Sequence, residues 1–310
     1  MPSASTNYRS IFSPGLFADQ VALVTGGGTG IGRAIAHELA FLGATVVIAA
    51  RREEPLAATV AEIAEAGGRA DSVTANIRES ESVAAMVQAV MQRHGRIDLL
   101  VNNAGGQFPS PAEQISPNGW RTVVDLNLNG TFLVTREVFN AWMGQHGGAV
   151  CSIIADMWNG FPYMAHTGAA RAGVENLTRS LAVEWGPRGV RVNAVAPGTI
   201  YSSGMDTYAE EFQEIAARNA SQIPAGRVGT ESETSAAAVF LLSPAAAFIT
   251  GETIKVDGGA SLAKTQMVPL TAHGSIPPYD GFHLAREIPP AWLPGRSSEQ
   301  APEAQGHQGS

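Results

Sequence analysis

From Val21 to about Ala260, short β-branched and aliphatic runs alternate with longer amphipathic stretches. Val21–Thr25, Thr45–Ala50, Leu99–Asn102, Val150–Ile154 and Val190–Ala196 are almost continuously apolar, the pattern of strands buried on both faces. Ala70–Thr74 and Thr253–Val256 are more polar and read as weaker strands. Helical periodicity predicts helices over about Gly32–Leu42, Pro55–Ala66, Ser80–His94, Trp120–His146, Gly168–Trp185 and Glu231–Leu242. The alternation predicts an α/β fold. Its expected form is a Rossmann-type doubly wound parallel sheet of about seven strands with helices on both faces. Residues 202–226 interrupt the rhythm, and 203–218 look helical. An insertion at that place, after a strand's C-terminal end, is positioned to cover a ligand crevice.

The pattern changes after Leu262. Seven of the 18 prolines fall between Pro269 and Pro302, and the pairs Pro277-Pro278 and Pro289-Pro290 exclude regular helix. Tyr279, Phe282 and Trp292 predict that part of this segment packs on the body or on a neighbouring subunit, while the last dozen residues are polar and expected to be loose. The expected organisation is an N-terminal arm (1–19), one Rossmann domain (20–262) and a Pro-rich C-terminal extension (263–310).

With 310 residues, 45% of them hydrophobic, the chain can bury a sizeable core without disulfides or metals. The net charge of −8 argues against nucleic acid or an anionic membrane as main partner. Cys151, the single cysteine, excludes an internal disulfide and suits a reducing compartment. No stretch approaches the ~18 apolar residues of a membrane span. Residues 1–20 lack a signal-peptide pattern, and Gln308-Gly309-Ser310 is no peroxisomal or reticular address, so the cytoplasm is expected.

The first strand runs into Gly26-Gly27-Gly28-Thr29-Gly30-Ile31-Gly32 and then a helix. Glycines allow a sharp turn and close approach of a pyrophosphate, and the helix N-terminus offers free N–H groups to it. The spacing of Gly26, Gly30 and Gly32 resembles the short-chain dehydrogenase/reductase family rather than the common G-x-G-x-x-G enzymes. Further motifs match in order over residues 20–260: Asn102-Asn103-Ala104-Gly105 after the fourth strand, Asn127-Leu128-Asn129-Gly130, Pro197-Gly198 after the sixth, Ile200-Tyr201-Ser202, and Asp257-Gly258-Gly259 after the last. The resemblance implies that Gly26, Thr29, Gly30, Ile31, Gly32, Asn103, Ala104, Gly105, Pro197, Gly198 and Ile200 bind a nicotinamide dinucleotide, with Asn76-Ile77 at the adenine. At the end of the second strand, an acidic residue would bind a ribose 2′-hydroxyl and a positive one a 2′-phosphate. Arg51 and Arg52 stand there, so the expected cofactor is NADP(H), although Glu53 and Glu54 follow at once.

At the chemical end the family pattern breaks. Where most members carry Tyr-x3-Lys, this chain has Thr167 and Arg171. Tyr163 has no lysine four residues later, and Ser152-Ile153-Ile154 does not match the family's serine cleanly. Alcohol oxidation needs a base, and a threonine hydroxyl is a poor one. Reduction of a C=C bond conjugated to a thioester needs instead hydrogen-bond donors for an enolate oxygen. Thr167 can donate, Arg171 is always charged, and Asn127 could orient a water. Tyr163, Tyr201, Asp156 or water could protonate the α-carbon.

Within the family, the stretches Asn102–Phe108, His166–Val174, Ile223-Pro224-Ala225 and Phe248–Gly251 resemble the peroxisomal type of trans-2-enoyl-CoA reductase. Glu175 departs from that branch, which carries a tyrosine there. The resemblance implies an NADPH-dependent reductase of an enoyl thioester, with an acyl-CoA as small-molecule partner. It also implies a homotetramer built through the helices spanning about 120–146 and 166–186. Two alternatives stay open: an alcohol or aldehyde dehydrogenase for a hydrophobic terpenoid or lipid, and a non-catalytic NADPH-binding module. Trp158, Phe161, Tyr163 and Met164 read either as an acyl pocket or as core. His166 reads either as an acid beside Thr167 or, in preference, as a packed helix-start histidine, and His37, His94 and His146 lack metal-ligand spacing, so no metal is expected.

Overall fold

The computed structural model describes residues 7–263, 276–289 and 292. In chain order the elements are β1 (Val21–Thr25), α1 (Gly30–Phe41), β2 (Thr45–Ala50), α2 (Glu53–Glu65), β3 (Arg69–Thr74), α3 (Ser80–His94), β4 (Leu99–Asn102), α4 (Pro117–Val124), α5 (Gly130–Val138) and α6 (Gly144–His146). They continue with β5 (Gly148–Ile153), α7 (Ala165–Trp185), β6 (Val190–Pro197), β7 (Ile200–Tyr201), α8 (Glu210–Asn219), β8 (Gly229–Thr230), α9 (Glu231–Leu242) and β9 (Thr253–Val256). Seven strands form one parallel sheet in the order β3-β2-β1-β4-β5-β6-β9.

Period-two alternation explains why the sheet is covered on both sides. On β1, Ala22 and Val24 join one core with α1, α2 and α9 residues such as Ile35, Leu56 and Val239. Val21 and Leu23 join the other, with Val87, Val134 and Leu181 from α3, α5 and α7. The same alternation places Val46 and Ile48 of β2 on the first side and Val47 and Ala49 on the second. Because the strand order runs outward in both directions from β1 and β4, the chain diverges between their C-terminal ends, where open α/β sheets bind ligands.

The predicted long helix over Trp120–His146 is present as one unbroken helical run from Pro117 to His146, with changes of hydrogen-bond pattern inside it. Ser116 accepts the Gly119 N–H and Pro117 opens α4, an N-cap signal three residues earlier than the apolar period begins. Two π-helical turns, Asp125–Asn129 and Phe139–Met143, then link α4, α5 and α6. Residues 203–218 form a 3-10 turn (Ser203–Thr207) followed by α8 rather than one helix. The two-stranded parallel sheet β7-β8 has no counterpart in the sequence pattern, being only two residues wide.

The C-terminal segment packs against the N-terminal one. Arg9 N–H donates to Gly281 O at 2.8 Å, and Tyr279 Oη–H donates to Arg9 O at 2.8 Å. Phe282 is 2% exposed, stacks on Tyr8 at 5.8 Å and lies 5.2 Å beneath the Arg33 guanidinium. Trp292 is buried edge-on to Tyr201 at 5.5 Å. Glu38 of α1, fully buried, accepts from Ser10 Oγ at 2.7 Å and from Ser235 Oγ of α9, and burial pushes its carboxyl up. The dozen polar residues at the C-terminus lie outside the described residues.

Phe282→Ala removes a buried ring, a loss on the order of 3 kcal/mol. We expect hydrogen exchange at the Arg9 and Phe282 amides to accelerate strongly while β1 and β4 amides stay protected. Unchanged protection at Arg9 and Phe282 would show that the ring does not hold the segment down.

Candidate active site

The site begins with a clamp between β1 and β4. Thr25 Oγ1–H donates to Val101 O at 3.3 Å, and the same oxygen accepts the Asn103 and Ala104 N–H groups, each at 3.1 Å. Asn103 Nδ2 donates back to Thr25 O and Gly26 O at 3.2 and 3.1 Å. Asn103 and Ala104 therefore hold the start of the glycine turn. Gly26 and Gly32 back onto Asn103 and onto each other, so both face the protein. Gly30 differs: its φ is +56°, and a Cβ there would meet nothing nearer than Ser203 Oγ at 3.6 Å, Glu231 Oε1 at 3.8 Å and Ser202 Oγ at 3.8 Å. Thr29, the residue before α1, makes no side-chain cap, so the first N–H groups of α1 near Gly30 and Ile31 receive none from it. A small open cradle beside uncapped helix N–H groups fits a dinucleotide's pyrophosphate.

Arg51 and Arg52 are exposed at the end of β2 and carry no hydrogen bond or ion pair among the described residues. Glu53 and Glu54 lie in the first turn of α2, where the helix dipole favours acids. Asn76 sits after β3, its amide donating to Glu79 Oε1 at 2.6 Å, and Ile77 is buried against Gly130. At the far side, Pro197 O accepts from Asp156 N–H at 3.1 Å, and Gly198 N–H donates to Val256 O at 3.0 Å. Ile200 is buried in β7.

At the reacting end, α7 places Thr167 and Arg171 one turn apart on one face. Arg171 is 8% exposed, yet its guanidinium has no hydrogen-bond or ion-pair partner among the described residues. Burial pulls its pKa down to about 10, still far above neutrality, so it stays charged. A Cβ on Gly105 would lie 2.3 Å from Arg171 Nη2 and 2.7 Å from Asn127 Oδ1, so the bare glycine is what lets these groups meet. Asn127 lies in the first π turn, and its amide is committed: Nδ2 donates to Gly106 O at 2.7 Å and Val123 O at 2.9 Å, while Oδ1 accepts the Gly106 N–H at 3.2 Å. Its side chain thus shapes the Gly105-Gly106 loop. A π turn at such a place is a frequent mark of a functional site.

Thr167 and His166 are both buried. His166 Nδ1 accepts the Thr167 N–H at 2.8 Å and lies 3.3 Å from Thr167 Oγ1. Burial lowers the His166 pKa, against a hydrogen bond between the ring and the Met164 backbone, and so favours the neutral ring. Nε2 is buried without a partner, and Phe108 packs edge-on against the ring at 4.6 Å. The sequence sets an acid role for His166, signalled by its place beside Thr167, against simple packing.

The tyrosines are placed differently. Tyr163 is 62% exposed, with φ at +62°, and its carbonyl accepts the Ser110 N–H at 2.7 Å. Tyr201 packs on Trp292 and so faces the insertion rather than α7. Asp156, beyond β5, is half-buried; its Oδ1 is buried without a partner, and burial together with the Asp257 charge pushes its carboxyl up. Lys255 Nζ lies over the Trp158 ring at 4.0 Å, and the ring stays partly exposed. The insertion reaches the site from above, where Gln107 Nε2 donates to Tyr208 Oη. Cys151 is buried within β5 and its thiol is pushed up to about 12, as suits packing.

A family model described as enoyl-(acyl carrier protein) reductase matches residues 26–261. A peroxisomal 2,4-dienoyl-CoA reductase, (3E)-enoyl-CoA-producing, of Danio rerio is 39% identical over 266 residues, 84% of this chain and 88% of its own. Among solved structures, the citronellol catabolism dehydrogenase (AtuB) of Pseudomonas aeruginosa PAO1 is 52% identical, with a TM-score of 0.74 over 82% of this chain and 100% of its own. An actinorhodin polyketide ketoreductase variant with NADPH is 32% identical, with a TM-score of 0.75 over 81% of this chain and 100% of its own.

An unpaired buried cation destabilises the fold that contains it. Arg171→Met is therefore expected to raise unfolding stability by about 1–3 kcal/mol. The check is a denaturant melt; a fall in stability would show that Arg171 serves packing rather than a ligand.

Proposed function

The chain belongs to the short-chain dehydrogenase/reductase family, and from that premise we propose that it is an NADPH-dependent reductase of a C=C bond conjugated to a coenzyme A thioester, either a 2-enoyl-CoA or a 2,4-dienoyl-CoA. The observation that carries the reading is Arg171: a buried guanidinium without an anion, one helical turn past Thr167 and against the bare Gly105. Such a group suits a bound ribose or a developing negative charge.

The dinucleotide, when bound, supplies the hydride. Gly30 and the first N–H groups of α1 would hold its pyrophosphate, and the unpaired Arg51 and Arg52 a 2′-phosphate. Gly105 and Arg171 would border the nicotinamide ribose. Asn76, Ile77, Pro197, Gly198 and Ile200 would complete the walls. In an enoyl thioester the hydride acceptor is the β-carbon. A change from a 2,4-diene to a 3-ene instead adds hydrogen at C2 and C5. In both cases negative charge gathers on the thioester oxygen, and C2 receives a proton. Thr167 Oγ1–H and Arg171 stabilise that oxygen. Asn127 holds the Gly106 backbone in place for them. Tyr163, Tyr201, Asp156 and water are the candidate acids for C2, and burial with the Asp257 charge pushes the Asp156 carboxyl up. Tyr201 and Trp292 would border the acyl chain, and Tyr163 stands at the outer edge.

A second reading has a specific observation behind it. The 52% identity to a citronellol catabolism dehydrogenase favours a branched terpenoid chain, as a free alcohol or as its thioester. We also infer a cytoplasmic homotetramer; exposed Trp120 and Phe132 on α4 and α5, and Val183 on α7, offer apolar surface on the helices that would meet. No helix among the described residues is long and apolar enough to cross a membrane.

The test is loss of NADPH absorbance with trans-2-enoyl-CoA and 2,4-dienoyl-CoA series of increasing chain length and branching, beside citronellol with NADP and NAD. Wild-type turnover of a thioester, reduced about 100-fold or more by Thr167→Ala and by Arg171→Met, is expected. Alcohol oxidation without thioester turnover would establish the second reading. Tight NADPH binding with no turnover of either class would point to a non-catalytic module.

A further inference from the structure

The phosphate cradle has an acidic wall. Glu231, the first residue of α9, is 7% exposed, and its Oε1 lies 3.8 Å from where a Cβ on Gly30 would stand. A carboxylate beside a pyrophosphate repels it. The groups facing Glu231 come from three elements. Ser203 N–H, from the insertion, hydrogen-bonds to it. Arg33 of α1 acts on it while forming a two-pronged pair with Glu62. Arg286, from the C-terminal segment, is the other cation acting on it. Arg286 Nη1 donates to Asp206 Oδ1 at 2.8 Å, and Asp206 shares the one 3-10 turn with Ser203, whose Oγ is 3.6 Å from the Gly30 cradle. The segment is fixed there independently: Phe282 N–H donates to Ser232 Oγ, the residue after Glu231, at 2.9 Å.

We propose that residues 276–289 are part of the dinucleotide site, with Arg286 serving the cofactor's phosphates across Glu231. The inference rests on the reading that the chain binds NADPH. Segment, insertion and α9 then meet over the glycine turn, and residues 276–289 contribute binding charge to a site built at the first strand. Arg286 attracts the phosphates; Glu231 opposes them when ionised. Burial raises the Glu231 carboxyl to about 7, against the pull of Arg33 and Arg286. Adjacent phosphates raise it further, so dinucleotide binding takes up a proton and affinity falls as pH climbs through and above 7. His37 and His283 flank Arg33, but burial lowers both, His37 to about 4, so neither changes charge in that window.

The experiment is NADPH affinity of the full chain by fluorescence titration at pH 6, 7 and 8, without substrate. Arg286→Ala, at an exposed side chain, should fold normally and weaken binding about three- to fivefold, with Arg286→Lys restoring most of it. Glu231→Gln should tighten binding at pH 8 and flatten the pH dependence relative to wild type. Wild-type binding with Arg286→Ala unchanged across the three pH values overturns the proposal alone. Failure of the wild type to bind NADPH overturns the underlying reading and this proposal with it.

Discussion

Everything at the ligand end of this protein hangs on one hydroxyl. Thr25 Oγ1 uses its single donor on Val101 O and its acceptor sites on the Asn103 and Ala104 N–H groups. With the Asn103 amide returning to Thr25 O and Gly26 O, it ties the ends of β1 and β4 together where the sheet's winding reverses. That is the place where two neighbouring strands send their chains in opposite directions and leave a crevice. Without the clamp the glycine turn and the Asn102–Gly106 loop would be free to move apart. With it, Gly30 on one side and Gly105 on the other are held as fixed walls, with Glu231 and Ser203 set beside the first and Arg171 and Asn127 beside the second.

The second constraint is electrostatic. Replacement of the family's usual tyrosine and lysine by Thr167 and Arg171 changes the protons available and keeps the positive charge. Lysine can be tuned toward neutrality by burial, whereas a guanidinium lowered to about 10 remains a cation at any working pH. A charged, buried guanidinium beside hydroxyl and imidazole groups favours negative charge placed next to it, so stability and function pull against each other at this position.

Much of the fold was legible because both faces of a parallel sheet are buried, so strands announce themselves as continuous apolar runs. Helices α3 and α9 match their predicted bounds, and the capping box of Thr230 and Glu233 explains why α9 begins where its pattern does. The helical run through Trp120–His146 was legible but its two π turns were not, because a π turn keeps the apolar face nearly in phase while inserting a residue. The β7-β8 pair was invisible because two residues carry no period. At the site, the glycine turn, Asn103, Asn127, Thr167 and Arg171 could be located from their motifs. The local pattern could not show that the Asn127 amide is committed to Gly106, that His166 Nε2 is buried without a partner, or that Trp158 turns to Lys255. Those facts depend on contacts between residues distant in sequence.

The same limit explains why the acidic wall of the cradle escaped a reading of the chain. Glu231 looks in sequence like an ordinary acid in the first turn of a helix, favoured there by the dipole. Its neighbours make it unusual: Gly30 from far earlier in the chain, Ser203 from the insertion, and cations from α1 and the segment after residue 275. A carboxylate so placed tends to neutralise itself, because burial disfavours its charge and a bound phosphate would disfavour it further. Nearby cations restrain that tendency. The balance is set by groups that docking of the chain's two ends brings together, since Phe282 lies beneath Arg33 and its backbone is fixed to Ser232. Packing of the C-terminal segment and the electrostatics of the phosphate turn are therefore one physical problem, and a change in either is felt by the other.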